Sequence, residues 1–167
     1  TKVLRPANIP MIPLPDHSPS AAKIPQRLIL VYKENFLYTE DPYEYFLNVG
    51  AIIQVLKLAW GQDVLPIWFV DEITCLAVLV EVKVELLQFY REEKDESRKI
   101  DMCKTAALYK SGGFYYDVGF RIHHIEIQMD PADNINLVVA KLQKGGLSKQ
   151  FMACEPESTV MLKTLDK

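Results

Sequence analysis

The sequence predicts an α/β domain with a mostly parallel sheet and flanking helices. Short apolar runs, typical of buried strands, alternate with longer segments whose apolar residues recur at helical spacing. The composition agrees, because 49% of the 167 residues are apolar and 25% are charged, which suffices for one hydrophobic core. We therefore expect one domain over residues 24–167, preceded by an extended arm or linker over residues 1–23.

The arm is predicted from its prolines, which lack an amide donor and favour extended, polyproline-like backbone. Six of the ten prolines fall within the first 25 residues: Pro6, Pro10, Pro13, Pro15, Pro19 and Pro25. Four large apolar residues of the arm lie close together, Ile9, Met11, Ile12 and Leu14. We expect these to hold it along the domain surface. A proline-rich ligand for a partner module is the alternative.

The first predicted strand runs from Leu28 to Tyr32, a short run rich in aliphatic residues. The first predicted helix begins with Asp41 as N-cap and Pro42 at its first position, and it ends near Gly61. Apolar residues recur in this helix every three or four positions, which predicts a stripe that faces the core. The stripe consists of Phe46, Val49, Ile53, Leu56 and Trp60.

A second buried strand is predicted from Leu65 to Val70. The acidic pair Asp71-Glu72 follows it and is expected to cap the next helix, with metal binding as the alternative. The run from Ile73 to Tyr90 has both strand-like and helix-like spacing, and its length favours one helix. Residues 91–99 are a charged run, expected to be an exposed loop or helix end.

The next stretch carries the functional signal. Asp101 to Lys110 predicts a helix closed by Gly112-Gly113, and Phe114 to Ile122 predicts a strand with Asp117 near one end. Further strands are expected at Arg121–Gln128 and Ile135–Leu142, with a turn at Gly145-Gly146 between the latter and a final segment. A last helix is expected from about Ser158.

Net charge and cysteines bear on partners and compartment. A net charge of −3 gives no basic excess, so we expect no nucleic-acid partner. Cys75, Cys103 and Cys154 are an odd number without metal-ligand spacing, so neither a disulfide framework nor a zinc site is predicted, and Cys103 is expected to pack in the core. No apolar run is long enough for a membrane span.

The stretch around Asp101 resembles the signature of the DXD-motif glycosyltransferases. This family includes the fungal initiating mannosyltransferases, α-1,4-N-acetylglucosaminyl- and galactosyltransferases, and the large glucosylating toxins. Its pattern is a helix with an Asp followed three residues later by an Arg, then a Gly-Gly turn, an aromatic strand and D-x-D. Asp101 and Lys104 match the helix pair, and Asp117 matches the first Asp of D-x-D. Gly119 stands in place of the second.

The resemblance implies a GT-A-type, Rossmann-like fold, of which this chain would be the nucleotide-sugar-binding part, incomplete at its carboxyl end. Tyr32 falls where the family places the aromatic residue that stacks on the nucleotide base. Asp101 would hydrogen-bond the donor sugar, with Lys104 in the role of the family's Arg. Asp117 would contact ribose, sugar or a metal-bound water. A surface ion pair is the plainer interpretation of Asp101 and Lys104.

The implied activity is transfer of a sugar from a UDP- or GDP-sugar, with retention of anomeric configuration, to a glycan, lipid or protein acceptor. The family uses Mn²⁺ or Mg²⁺ to neutralise the departing diphosphate, with Asp117 as the matching metal ligand here. Such enzymes often work in the Golgi or another secretory compartment. The alternatives are an inactive homologue that binds nucleotide sugar or acts as a scaffold, and an unrelated α/β fold. His123 or His124 is a further candidate ligand in place of the missing Asp.

Overall fold

A computed structural model describes residues 23–121, 137–141 and 147–166. The predicted arm, apart from Lys23, lies outside the described residues. So do the candidate ligands His123 and His124 and the predicted turn at Gly145-Gly146.

Through the first two thirds of the chain, one or more helices separate consecutive strands. The strands are β1 (Leu28–Val31), β2 (Ile67–Val70), β3 (Gly113–Tyr116), β4 (Leu137–Lys141) and β5 (Leu147–Cys154). The helices are α1 (Tyr43–Trp60), α2 (Glu72–Val82), α3 (Glu85–Glu92), α4 (Glu96–Ser111) and α5 (Thr159–Leu165).

The five strands form one mixed sheet in the order β2-β1-β3-β5-β4. The pairs β1–β2 and β1–β3 are parallel, whereas β5 is antiparallel to both β3 and β4. The predicted α/β class is therefore confirmed, with a parallel sheet in the core of the structure. Only β5 among these five strands runs in the opposite direction, which a mostly parallel sheet allows.

Both faces of the sheet are buried against helices. Successive residues of each strand point to opposite sides, so each strand contributes to both faces. Ile29 and Tyr115 pack with residues of α2, α3, α4 and α5 in one core cluster. Leu28, Phe114 and Tyr116 pack with residues of α1 in the other. Burial on both faces explains why these strands are continuous apolar runs in the sequence.

The predicted position of helix α1 is confirmed, but its N-cap residue differs from the predicted one. Pro42 has extended backbone and is the N-cap residue, and its carbonyl accepts hydrogen bonds from the amides of Tyr45 and Phe46. Asp41, the predicted N-cap, lies one residue too early to cap the helix. The most deeply buried side chains of α1 are Asn48, Val49, Ile52 and Leu56.

The prediction of a single helix over Ile73–Tyr90 is wrong, because the structure has two helices there, α2 and α3. Asp71 caps α2 as predicted, and its carboxylate accepts a hydrogen bond of 2.8 Å from the amide of Thr74. Lys83 is extended and ends α2, and α3 then turns Leu86 and Tyr90 into the core. The β-branched valines before the break have low helix propensity, which weakens a continuous helix there.

Helix α4 begins earlier than predicted, at the N-cap Asp95. It ends at Gly112 and Gly113, which have φ of +60° and +118°. A Cβ atom on Gly112 would lie 2.6 Å from Pro156, and one on Gly113 would lie 2.6 Å from Arg27. The Gly-Gly turn is therefore required both by its left-handed backbone and by the close approach of two other segments.

The prediction that the cysteines form no disulfide is wrong. Cys75 on α2 and Cys103 on α4 are joined, with their Cα atoms 5.3 Å apart. Both are buried where the two helices pack, a proximity that sequence spacing does not show. Cys154 is free and buried, and burial, followed by the charge of Glu155, raises the pKa of its thiol to about 12.

Candidate functional site

The sheet topology indicates where on the sheet a ligand would bind, at the carboxyl-terminal ends of two neighbouring strands. From β1 the chain crosses to β2 on one side, and from β2 it returns to β3 on the other side of β1. The carboxyl ends of β1 and β3 therefore flank a topological switch point, where open α/β sheets bind ligands. The residues that follow these two strands are Tyr32 and Asp117.

Tyr32 is half-buried in a cluster of aromatic rings. Its ring meets Phe36 edge to face at a centroid distance of 5.7 Å and Tyr45 at 5.3 Å. Such packing fixes the orientation of the ring. Tyr32 also lines a cleft of about 370 Å³ with Lys33 and Asp71, at the carboxyl ends of β1 and β2. Asp117, Asp101 and Lys104 are not among the described residues that line this cleft.

Asp117 lies in a tight turn immediately after β3 rather than inside the longer strand predicted. Its carboxylate accepts a 3.0 Å hydrogen bond from the amide of Gly119, and its carbonyl accepts one of 2.9 Å from the amide of Phe120. The buried side chain of Asn48 donates to the carbonyl of Val118 over 3.0 Å. These bonds hold the Asp117 carboxylate in one position at the edge of the sheet.

A side chain at position 119 would have room beside Asp117 and Tyr45. A Cβ atom on Gly119 would lie 3.4 Å from the Asp117 carboxylate and 3.9 Å from the ring of Tyr45, both ordinary contacts. Gly119 also has no left-handed backbone that would need glycine. Since Tyr45 contacts Tyr32 as well, it connects the first strand end to the Asp117 turn.

Asp101 and Lys104 form an ion pair on α4, but not the exposed pair of the plainer interpretation. The side chain of Lys104 is only 5% exposed, and its ammonium donates a hydrogen bond to Asp101. The same ammonium lies 5.1 Å from the centre of the Tyr115 ring. Lys104 therefore neutralises Asp101 and packs inside the domain, so its charge is already satisfied.

Asp101 has a second cation, Lys149 of β5, at 3.4 Å. Partial burial of Asp101 opposes its ionisation, but the hydrogen bond and charge of Lys104, followed by Lys149, outweigh burial and lower the pKa of the carboxyl. Asp101 is therefore ionised at neutral pH. The buried hydroxyl of Tyr115 has a raised pKa, first from burial and then from the charges of Asp117 and Asp101.

The four predicted site residues are linked through residues that the sequence did not single out. Tyr45 joins Tyr32 to the Asp117 turn, as described above. The amide of Asp117 donates to the carbonyl of Gln150 over 2.8 Å, and the adjacent Lys149 reaches Asp101. Helical spacing predicts only that Tyr45 lies on α1, and Lys149 has no local signal, so neither could be identified from the sequence.

The described residues do not form a ready metal site. Among them, no group of three His, Cys, Asp or Glu side chains is placed to hold a metal ion. Asp117 offers one carboxylate, and one of its oxygens already accepts the Gly119 amide. Mn²⁺ and Mg²⁺ prefer several oxygen ligands, so the predicted cofactor lacks a matching set of protein ligands in this part of the chain.

Comparisons with protein-family models, with curated proteins and with solved structures find no match to this chain. In the described ranges, no helix is long and apolar enough to cross a membrane.

Proposed function

We propose that this protein is glycosyltransferase-like, binding a UDP- or GDP-sugar at the carboxyl ends of β1 and β3 and transferring the sugar with retention to a glycan, lipid or protein acceptor. The observation that carries the proposal is the convergence of Tyr32 and Asp117 at the topological switch point of the sheet. A GT-A-type sheet would use this edge for its donor nucleotide.

The proposed role of each residue follows from its surroundings. The Tyr32 ring, held by Phe36 and Tyr45, would stack on the base. The Asp117 carboxylate would accept a hydrogen bond from a ribose or sugar hydroxyl, because its turn leaves it half-exposed and fixed. Asp101 is 41% exposed and ionised, so it would accept a second sugar hydroxyl.

Lys104 is proposed to position Asp101 rather than to contact the donor, because its ammonium is buried against Asp101 and Tyr115. This differs from the role that the resemblance implies for the family's Arg. Lys149 is 76% exposed and is the cation beside Asp101 that a diphosphate could reach. The Cys75–Cys103 disulfide agrees with the secretory compartment that the resemblance implies, since disulfides persist in oxidising compartments.

The second candidate function is a homologue that binds nucleotide sugar without transferring it. Gly119 favours this candidate, because it removes the second carboxylate and its amide occupies an oxygen of the first. No step through Mn²⁺ or Mg²⁺ can be derived from the described residues. Binding and transfer therefore need separate tests.

Binding is tested by thermal unfolding with UDP- and GDP-sugars, each with Mn²⁺ or with EDTA. A ligand at a hundred times its dissociation constant stabilises the fold by about 2.7 kcal/mol. Tyr32→Ala should abolish the shift. Tyr38→Ala is the matched control, because Tyr38 is 65% exposed and outside the aromatic cluster. No shift for the folded wild type with any nucleotide sugar would refute the proposal.

Transfer is tested by donor hydrolysis in the wild type and in Asp117→Ala and Gly119→Asp variants. The new carboxylate at position 119 fits without a steric clash and would face Asp117. If the wild type hydrolyses the donor and Asp117→Ala does not, the protein is an enzyme. If only Gly119→Asp gains Mn²⁺-dependent hydrolysis, the wild type is the binding homologue. Gly50→Asp, exposed on α1, controls for the added charge.

A further inference from the structure

The outer side of α1 carries an exposed, uncharged stripe, which Glu44 and Lys57 flank. It consists of six exposed residues at helical spacing, Tyr43, Leu47, Gly50, Ala51, Gln54 and Leu58. The three large apolar members, Tyr43, Leu47 and Leu58, are 57%, 52% and 83% exposed. We call these six residues the α1 stripe. A solvent-facing helix surface is normally polar, so an uncharged stripe with three exposed large apolar side chains points to a covering segment.

The α1 stripe lies opposite the buried face of the helix. Asn48, Val49, Ile52 and Leu56 point into the core. A Cβ atom on Gly50 would meet nothing within 4 Å, so the space above the middle of the stripe is open. Among the described residues, none therefore covers this part of the stripe.

The amino-terminal arm joins the domain beside one end of the α1 stripe. Ile24 is buried in the core cluster on the α1 side of the sheet, together with Leu56 and Trp60. Gln26 accepts a hydrogen bond from Gln62, two residues after α1. Residues 1–22 are thus joined to the domain near the carboxyl-terminal end of α1, the end that carries Leu58.

We propose that the α1 stripe is the docking surface for the arm, with Ile9, Met11, Ile12 and Leu14 as the contacting side chains. The proline-rich arm suits an apolar surface, because each proline removes a backbone donor that burial would leave unsatisfied. In extended polyproline-like backbone, Ile9 and Ile12 share one edge, as do Met11 and Leu14. This inference is independent of the proposed sugar-transferase function.

Length also fits. An extended chain reaches about 28 Å from Lys23 back to Leu14. The 18-residue helix α1 is about 27 Å long, so Leu14, and with it the more distant Ile12 and Ile9, can reach every point of the α1 stripe. Because the arm is tethered, its effective concentration is on the order of millimolar, and weak contacts are sufficient for docking.

A second copy of the chain fits this surface less well. One face of α1, taken as about 10 Å wide, presents roughly 270 Å² per copy. Stable interfaces bury at least about 1,200 Å² in total, more than two such faces supply. The tethered arm needs no such area, because its attachment to the domain already supplies a high effective concentration, and it is therefore the better occupant.

Cross-linking tests the proposal on the whole chain. Cysteines are introduced at Ile12 and Leu47 and treated with a short bismaleimide. The native cysteines do not compete, since Cys154 is buried and the other two are paired. An intramolecular cross-link is expected. The control pair places the second cysteine at Phe89, which is 63% exposed on α3, across the sheet. Its yield should be lower by on the order of tenfold.

A charge on the α1 stripe provides the second measurement. Adding Leu58→Glu to the Ile12–Leu47 cysteine pair should reduce the intramolecular yield, whereas Val160→Glu on α5 should not. Both substitutions are at exposed positions, so the fold is retained. Equal yields for the Leu47 and Phe89 pairs would overturn the proposal. A cross-link mainly between two chains would assign the stripe to self-association instead and would overturn it as well.

Discussion

Replacing Asp101 by asparagine is expected to destabilise the fold more than replacing Lys104 by methionine. The two members of this ion pair differ in burial, with side chains 41% and 5% exposed. Asp101→Asn leaves a buried ammonium with only an amide oxygen and the Tyr115 ring beside it. Lys104→Met removes the buried charge and leaves a carboxylate that keeps solvent and Lys149.

The magnitudes follow from that difference. Breaking a buried ion pair costs about 3–5 kcal/mol, and we expect about 3 kcal/mol for Asp101→Asn because the Tyr115 ring still faces the ammonium. For Lys104→Met we expect about 1 kcal/mol, since the remaining carboxylate is hydrated. For a chain of 167 residues, each kcal/mol lowers Tm by about 2–4 °C. The expected decreases are therefore about 6–12 °C and about 2–4 °C.

Urea unfolding followed by circular dichroism measures these free energies, provided that the m-value is unchanged. The double variant is the control, because it contains neither the buried charge nor its partner. It should lose about 1 kcal/mol, rather than the about 4 kcal/mol expected of independent sites. The buried-ammonium explanation is refuted if Lys104→Met lowers the free energy of unfolding as much as Asp101→Asn, or if the double variant loses the sum of the two. In either case the unpaired ammonium of Lys104 would not be the cause of the Asp101→Asn destabilisation.

Three further results are expected. Replacing Cys75 and Cys103 by alanine should lower the free energy of unfolding by about 3.5 kcal/mol, from a sequence separation of 28; an unchanged urea midpoint would contradict this. Asn48→Leu leaves the buried carbonyl of Val118 without its donor and should lower the free energy of unfolding by about 1–3 kcal/mol. Amide exchange in the turn around Val118 should become faster, and unchanged exchange would show that Asn48 does not hold this turn. The pKa of Asp101 is lowered by folding, so the stability it contributes is complete above the unfolded value of 3.8 and is lost as pH falls through the lower folded pKa. The stability difference between wild type and Asp101→Asn should therefore shrink below about pH 4, as pH-dependent urea unfolding would show.

Local patterns predicted the central part of the fold. The apolar runs at β1 and β2 and the helical spacing of α1 depend on neighbours in sequence, so they could be identified without the structure. The turn at Gly112-Gly113 was predicted from helix-end chemistry, and its left-handed backbone agrees. The roles of Tyr32, Asp101, Lys104 and Asp117 stay predictions, although their positions are now known.

Features set by distant contacts could not be predicted. The Cys75–Cys103 disulfide depends on how α2 packs on α4, and the direction of β5 depends on which strand it joins. The burial of Lys104 is of the same kind, since spacing on α4 pairs it with Asp101 but does not show that Tyr115 lies beneath it. Likewise, no local signal links Lys149 to Asp101.

The antiparallel strand β5 has a consequence for the order of folding. The signature from Asp101 to Asp117 is continuous in sequence, yet the Asp117 amide is bound by Gln150 and Asp101 is contacted by Lys149, both on β5. Joining β5 to β3 closes a long loop, which is slow compared with the formation of α4. In refolding, the helix should therefore appear before the site, and a chain that ends at Arg121 would keep the signature but lack the β5 contacts of Asp101 and Asp117.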